Sequence, residues 1–331
     1  MNRETKNEEV EKLPDKLGGL KHVTRSSEVG LLLILIGLCV VFSFINNNFY
    51  KIGNLMNITR QISIVLVIGI GMLCIVLTGE IDLSVGSVAA LAGVAAAYTL
   101  TQTGSILLGV LAGILIGGCA GLINGVLVVY GRMPSFIVTL ASMEIWRGVV
   151  MVWTGGRPIS GLPDSFGVFG ASYVAGIIPT ASIIAILIML IAFFFIHKTK
   201  HGIYLKAIGA SSSAANLSAI PVKSYKIKAF LISGVTASIG GIMTASKLLS
   251  AQPTACEGME MDVLTAVILG GASLSGGVGS VVGTLIGALT IGIINNGMNL
   301  ANVNSYYQQV VKGVIIVVAV LIKTTQKGRK K

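Results

Sequence analysis

Apolar residues fill this chain in long blocks separated by short polar breaks. The blocks lie near 30–46, 61–78, 84–100, 105–129, 135–153, 174–196, 229–249, 262–275, 279–297 and 307–322. A helix that crosses a bilayer needs about 20 such residues, or 17 to 25 with tilt. Lipid offers no partner to an open backbone, so spanning segments are helices or closed barrels. The blocks are continuous and lack the strict alternation of barrel strands. The pattern predicts an all-α fold, a polytopic transmembrane helical bundle of about ten spans. Several blocks are only a few residues apart, which predicts half-helices or re-entrant pieces among them.

Composition agrees. Of 331 residues, 53% are hydrophobic and 11% charged, with mean hydropathy +0.86. A soluble domain carries about 25% charged residues, so this chain has too few to make a polar skin. The net charge of +11 is informative through its placement. Residues 1–29 hold six basic and six acidic residues and read as a neutral tail. Lys198, Lys200, Lys206, Lys223, Lys226 and Lys228 cluster in 198–228 with no acidic residue, and Lys323, Lys327, Arg329, Lys330 and Lys331 close the chain. Basic runs that flank apolar spans follow the positive-inside rule, not nucleic-acid binding. Ten spans place both termini, Arg132 and 198–228 on one side, predicted cytoplasmic. Lys51, Arg60, Arg157, Asp164, Glu257 and Glu260 fall on the other. The expected layout is a tail over 1–29, a transmembrane domain over 30–323 and a basic tail over 324–331. The polar N-terminus is no cleavable signal peptide. Cys39, Cys74, Cys119 and Cys256 have no CxxC or Cys/His spacing, so neither disulfide nor metal is expected.

Glycines recur every fourth position at Gly113, Gly117 and Gly121, and at Gly279, Gly283 and Gly287. Small residues at this spacing let helix backbones approach closely in lipid. A weak repeat is also present. Glu80-Ile81-Asp82-Leu83 returns as Glu260-Met261-Asp262-Val263, and Gly121-Leu122-Ile123-Asn124-Gly125 returns around Gly292-Ile293-Ile294-Asn295-Asn296-Gly297. The copies fall on spans two to four and seven to nine. An offset of five spans turns one copy upside down, which predicts an inverted repeat of two five-span halves.

Candidate chemistry is sparse. No GxxxxGK[ST] loop exists, so this chain does not bind ATP by that route. HExxH and GxSxG are absent, and none of His22, His197 and His201 lies within a span, which speaks against an enzyme. Charges near spans are costly and therefore informative. They are Glu80, Asp82, Glu144, Arg147, Glu260, Asp262 and Lys312. Glu144 and Arg147 share a helix face and can pair. Glu80 and Asp82 sit at a break where they can cap the helix that follows. Asn124, Ser135, Phe136, Thr139, Asn295 and Asn296 are candidates to line a neutral pathway, although Asn-Gly near a span end also serves as a cap. Within 198–228, Ser211-Ser212-Ser213 can cap a short helix over 214–220 that Pro221 stops. Such a helix is either a connector or a docking element for a partner groove. The residues alone leave open an ion-coupled secondary transporter or channel as the alternative to a partner-driven importer.

Four stretches resemble the permeases of ribose-type ABC importers. They are Thr78 to Ser87; Gly121 to Val128 continuing through Pro134–Leu140 to Arg147-Gly148 and Thr154–Ile159; Ala207-Ile208-Gly209 with Ala214-Ala215 and Leu217-Ser218; and Gly270 to Gly283 with Asn295-Asn296-Gly297 and Gln308–Gly313. The resemblance covers nearly the whole chain after residue 30, and it is closest to ribose around Ser305-Tyr306-Tyr307-Gln308. It implies a permease dimer with a second, identical subunit, an ATPase of two fused nucleotide-binding domains, and an extracytoplasmic sugar-binding protein. The chain itself then needs no cofactor, ATP and Mg belonging to the ATPase. It also implies that Gly209, Ala214, Ala215, Leu217 and Ser218 belong to a cytoplasmic coupling helix, and that sugar passes between the two subunits of the dimer in the inner membrane. One departure stands out: the family pattern AARLSGI has Arg and Gly where this chain has Asn216 and Ala219.

Overall fold

The computed structural model describes residues 16–328, with the side chains of 30–315 and of 317. Ten helices occupy the expected places: α1 (Lys16–Ile45), α2 (Ile52–Leu77), α3 (Val85–Thr103), α4 (Ile106–Val129), α5 (Ser135–Thr154), α6 (Thr180–Lys198), α9 (Val222–Leu248), α10 (Met259–Leu269), α11 (Val281–Leu300) and α12 (Ser305–Gly328). Two short helices, α7 (Lys200–Ala210) and α8 (Ser212–Leu217), fill the basic segment. Among the described residues, α2, α3, α4, α5, α6, α9 and α11 are long and apolar enough to cross a membrane, and α1 adds the shorter apolar stretch Gly30–Ile45.

Two segments differ from the sequence pattern. The block at 262–275 is not one span: α10 has 11 residues, about 16 Å at 1.5 Å per residue, and Gly270, Gly271, Gly276 and Gly277 then form a non-helical loop. The start of the block at 174–196 is a two-stranded hairpin, β1 (Tyr173–Val174) against β2 (Ile178–Pro179), and α6 begins after Pro179. α1 starts at Lys16, within the stretch 1–29; residues 1–15 and 329–331 lie outside the described residues.

The repeat has a packing counterpart. α2 and α9 lie side by side; α3 and α4 pack on α9, while α10 and α11 pack on α2. The glycines make this contact possible. A methyl group at Gly241 of α9 would overlap the Ala89 carbonyl of α3, one at Gly121 of α4 would overlap the Phe230 carbonyl of α9, and one at Gly287 of α11 would overlap the Ala266 carbonyl of α10. Close backbone approach of this kind drives helix association where lipid removes the hydrophobic incentive.

Two ends of the bundle can be told apart. On one, α8, the turn at 130–134, the end of α2 and the 270–280 loop converge: Gly209 of α7 lies on the Leu77 carbonyl and on Gly277. On the other, Ile159 pairs with Ala251, Ser246 donates to the Phe166 carbonyl at 2.7 Å, and Asn46 donates to the Leu300 carbonyl at 2.8 Å.

Candidate functional site

The starts of α3 and α10 lie inside the bundle, not at its ends. Asp82, just before α3, accepts from Ser233 Oγ at 2.8 Å, near the middle of the 27-residue α9. Glu260, in the first turn of α10, packs against Gly86 in the first turn of α3. Irregular backbone at this depth is tolerated only when protein groups satisfy it. Here Asp82 Oδ1 accepts from Ser84 N at 3.0 Å and Ser84 Oγ at 2.6 Å. Asn124 of α4 donates to Ser84 Oγ at 2.9 Å and accepts from Ser142 of α5. Ser135 Oγ accepts from Ile81 N at 3.3 Å, and Thr139 donates to the Ile81 and Ser135 carbonyls. Asp82 therefore fixes the chain turn before α3 and Ser84, not a carboxylate, occupies the cap position.

In the second copy the amide meets the carboxylate directly instead of through a serine. Asn295 of α11 donates to Asp262 Oδ2 of α10 at 3.3 Å, as Asn124 serves the Asp82 turn. Lys312 of α12 pairs with the same oxygen at 2.9 Å. Asn295 Oδ1 has no partner among the described residues. Asn296 points elsewhere: it is buried and exchanges two hydrogen bonds with Asn54 of α2, at 2.8 and 3.0 Å.

The remaining charges also find definite places. Glu80 forms an ion pair with Lys226 of α9. The expected Glu144–Arg147 pair does not form. Glu144 is exposed, and Arg147 donates to the carbonyls of Pro253 (2.6 Å) and Ala255 (3.0 Å). A guanidinium that meets carbonyls across helices holds the irregular 249–258 segment in place. Sequence spacing favoured the in-helix pair because it could not show which loop returns to α5.

Of the six pathway candidates, Asn124, Ser135, Thr139 and Asn296 are buried and bonded within the protomer, whereas Phe136 is 52% exposed and Asn295 borders a cavity. Sequence reasoning missed Ser84, Ser142, Ser233 and Asn54, whose polarity inside apolar blocks was the available signal.

In the basic segment, Thr199 caps α7 and Ser211 caps α8, each by accepting a backbone N–H. Ala215 is buried; Ala214 and Ser218 are exposed, and Leu217 is 88% exposed. Ala219 closes α8 with φ +59°, the left-handed conformation that glycine adopts freely. The Ala/Gly departure therefore falls where a glycine suits the backbone best. Gly202, Leu205 and Ile208 of α7 are buried, and burial pushes the Lys206 ammonium below the usual lysine range.

A polytopic bundle with helices starting in its interior, buried polar turns and no nucleotide loop defines a membrane transport protein. The chain belongs to the permease family described as branched-chain amino acid transport system / permease component, which matches residues 54–320. It is 42% identical over 312 residues to the ribose import permease of Escherichia coli (strain K12), covering 92% of this chain and 97% of the relative. It is 42% identical over 297 residues to the ribose import permease of Bacillus subtilis (strain 168), covering 89% and 92%. The L-arabinose ABC transporter permease of Azospirillum brasilense is 33% identical over 303 residues, covering 91% and 89%. The chain is thus a transport subunit of an ABC importer, not an enzyme, and ATP hydrolysis belongs to a partner chain.

Proposed function

We propose that this chain is the permease subunit of a ribose importer. The observation that carries the substrate is the identity pattern: 42% to ribose import permeases over nearly the whole chain, against 33% to the arabinose relative and 35% to the D-allose permease of Escherichia coli (strain K12). An extracytoplasmic binding protein selects ribose, and an ATPase with two fused nucleotide-binding domains drives its passage. The permease works as a homodimer in the inner membrane. Both termini and 198–228 face the cytoplasm, in keeping with the basic clusters. The working units are the tail over 1–29, the permease domain over 30–323 and the basic end over 324–331.

The coupling role falls to α7 and α8. Gly209 seats α7 on the end of α2, Ala215 anchors α8, and Ala214, Leu217 and Ser218 form its free face. A push on α8 passes through Gly209 to α2 and to the 270–280 loop. The sugar passes between two subunits along faces that include Phe136, with Asn295 reached from the opposite end. Asn124, Ser135, Thr139 and Asn296 stabilise the inner turns that shape this route. Neutral sugars suit a route bordered by uncharged groups such as Phe136 and Asn295.

Uptake of labelled ribose into proteoliposomes tests the proposal. Accumulation should require the ATPase, the binding protein and ATP together, and excess arabinose or allose should compete poorly. Uptake by the permease alone, following an ion gradient, would refute it and favour a secondary carrier.

A further inference from the structure

A cleft of about 220 Å³ lies between the end of α6, the start of α7 and the first turns of α9. Phe195, Leu205, Ala229 and Ile232 give it apolar walls, and His201, Tyr225 and Lys228 bring polar groups to it. We propose that this cleft is a binding site for one anionic phospholipid, with the phosphate on Lys228 and His201 and an acyl chain along the apolar walls. The site is independent of which sugar the protein carries.

The polar groups suit a phosphate. Lys228 is exposed, and its Nζ sits 5.2 Å from the centre of the Tyr225 ring. No carboxylate pairs with it among the described residues, whereas Lys226, two positions away, is committed to Glu80. The whole stretch 198–228 contains no acidic residue. His201 Nδ1 lies 2.7 Å from Tyr225 Oη, and a phenol proton donated to Nδ1 leaves Nε2 as an N–H donor. Phe195 stacks on the imidazole, with centroids 5.2 Å and planes 6° apart, and Tyr204 meets Tyr225 edge-on. The imidazole and the phenol are therefore held in place before a ligand arrives, which lowers the ordering cost of binding. A lysine ammonium and a fixed N–H with no acid between them form charge-assisted bonds to a phosphate.

Depth and apolar surroundings make the phosphate a lipid's. α6 has 19 residues, about 28 Å of helix at 1.5 Å each, close to the thickness of the hydrocarbon core. Its last turn, which includes Phe195, reaches headgroup level. α9 has 27 residues, about 40 Å, and outreaches that core; Lys228 stands in its second turn. Leu231, three residues further into the bundle, lines the same cleft and is exposed, as are Ile191 and Phe194 on α6. A soluble phosphate would leave these groups without a partner, whereas acyl chains cover them. Basic pockets between spans on the cytoplasmic side take anionic headgroups, and the orientation proposed above puts this one in the cytoplasmic leaflet.

Direct binding tests the assignment. The purified permease–ATPase complex in mild detergent is titrated with labelled dioctanoyl phosphatidylglycerol. Binding should saturate. Unlabelled phosphatidylglycerol should displace the label about fivefold better than dioctanoyl phosphatidylcholine, the effect of roughly one lysine near an anionic headgroup, and inorganic phosphate should not displace it. Lys228→Gln should raise the Kd about fivefold. His201→Phe, which keeps a ring against Phe195 but has no N–H, should raise it by a similar factor. Lys228→Arg should bind within twofold of the unsubstituted chain, and so should Lys223→Gln, which removes an exposed lysine set over Tyr130 instead. Two weakening variants on different helices, with the arginine rescue, separate loss of the site from loss of the fold. An unchanged Kd in both Lys228→Gln and His201→Phe overturns the site. Equal displacement by phosphatidylcholine overturns its anionic selectivity and the proposal with it. Displacement by inorganic phosphate overturns the lipid assignment in favour of a soluble phosphate.

Discussion

Leu217 offers the sharpest test of coupling. It ends the six-residue α8 and is 88% exposed, while its neighbour Ala215 is 3% exposed. Burying a leucine side chain contributes about 1.5–3 kcal/mol, and nearly all of that is still available at Leu217. If α8 docks in an ATPase groove through this residue, Leu217→Gln should weaken assembly by roughly 10–150-fold, at 1.4 kcal/mol per decade. Gln matches Leu in helix propensity, so α8 itself should persist. Leu217→Asp should weaken assembly further, because a carboxylate near a helix C-terminus opposes the dipole and resists burial. The assay titrates detergent-solubilised permease against the ATPase and follows co-purification, with thermal unfolding of the permease as the control. Surface changes of this kind shift stability by about 0.5 kcal/mol or less, so the unfolding midpoint should hold. Ala215→Asp cannot serve, since it buries an unpaired charge and unfolds what it probes. Assembly of Leu217→Gln within threefold of the unsubstituted chain, with ATP-driven uptake intact, would refute docking through this face.

Three further outcomes follow from packing and charge. Ala219→Gly should relieve the left-handed strain at φ +59°, a cost of about 1–2 kcal/mol for an L residue that glycine's chain entropy partly cancels; hydrogen exchange at Ile220, bonded to the Ala215 carbonyl, should slow about fivefold, and Ala219→Val should speed it. Gly241→Ala must push α3 from α9 and should cost about 1–3 kcal/mol, whereas Gly148→Ala, with nothing near its added methyl, should stabilise by up to about 1 kcal/mol; aggregation temperatures in detergent separate the two. Lys312→Met should cost about 1–3 kcal/mol by stranding Asp262, and adding Asp262→Asn should recover most of it, as a double-mutant cycle on thermal stability would register.

Much of the architecture was legible because bilayer thickness imposes a length on each apolar block. The glycine spacing in α4 and α11 likewise foretold close backbone contacts, since a small residue every fourth position has few other uses in lipid. What was not legible depends on returns of the chain from far away. Arg147 could pair with Glu144, three positions off, but Pro253 and Ala255 come back to it from more than 100 residues away. The 262–275 block looked like a span because its residues are mostly apolar or small, although Gly270 and Gly271 there serve a backbone turn. Asn124 and Asn296 looked like pathway groups, yet each spends its amide on partners set by tertiary packing. Hydropathy measures how willingly a segment enters lipid and is blind to which polar group meets which.

The two interior helix starts are held with unequal strength, and this bears on which part moves. α3 lies along α9 over much of its length, with Asp82 on Ser233 and Ala89 on Gly241, and Asp82 is 2% exposed within a closed hydrogen-bond network. Such a network is costly to open, because each freed polar group would stand unsatisfied. α10 meets α12 through the Lys312–Asp262 pair, whose side chains keep 28% and 15% exposure. An ion pair with that much exposure contributes little, about 1 kcal/mol or slightly more. A conformational cycle driven by the ATPase should therefore separate α10 from α12 before α3 leaves α9. Spin labels at Met261 and Val310, both exposed, should report a distance that changes between nucleotide-free and ATP-trapped complexes. Labels at Tyr98 on α3 and Leu231 on α9 should report a nearly constant one. A constant first distance together with a changing second would show that the buried Asp82 network, not the exposed ion pair, is the yielding element.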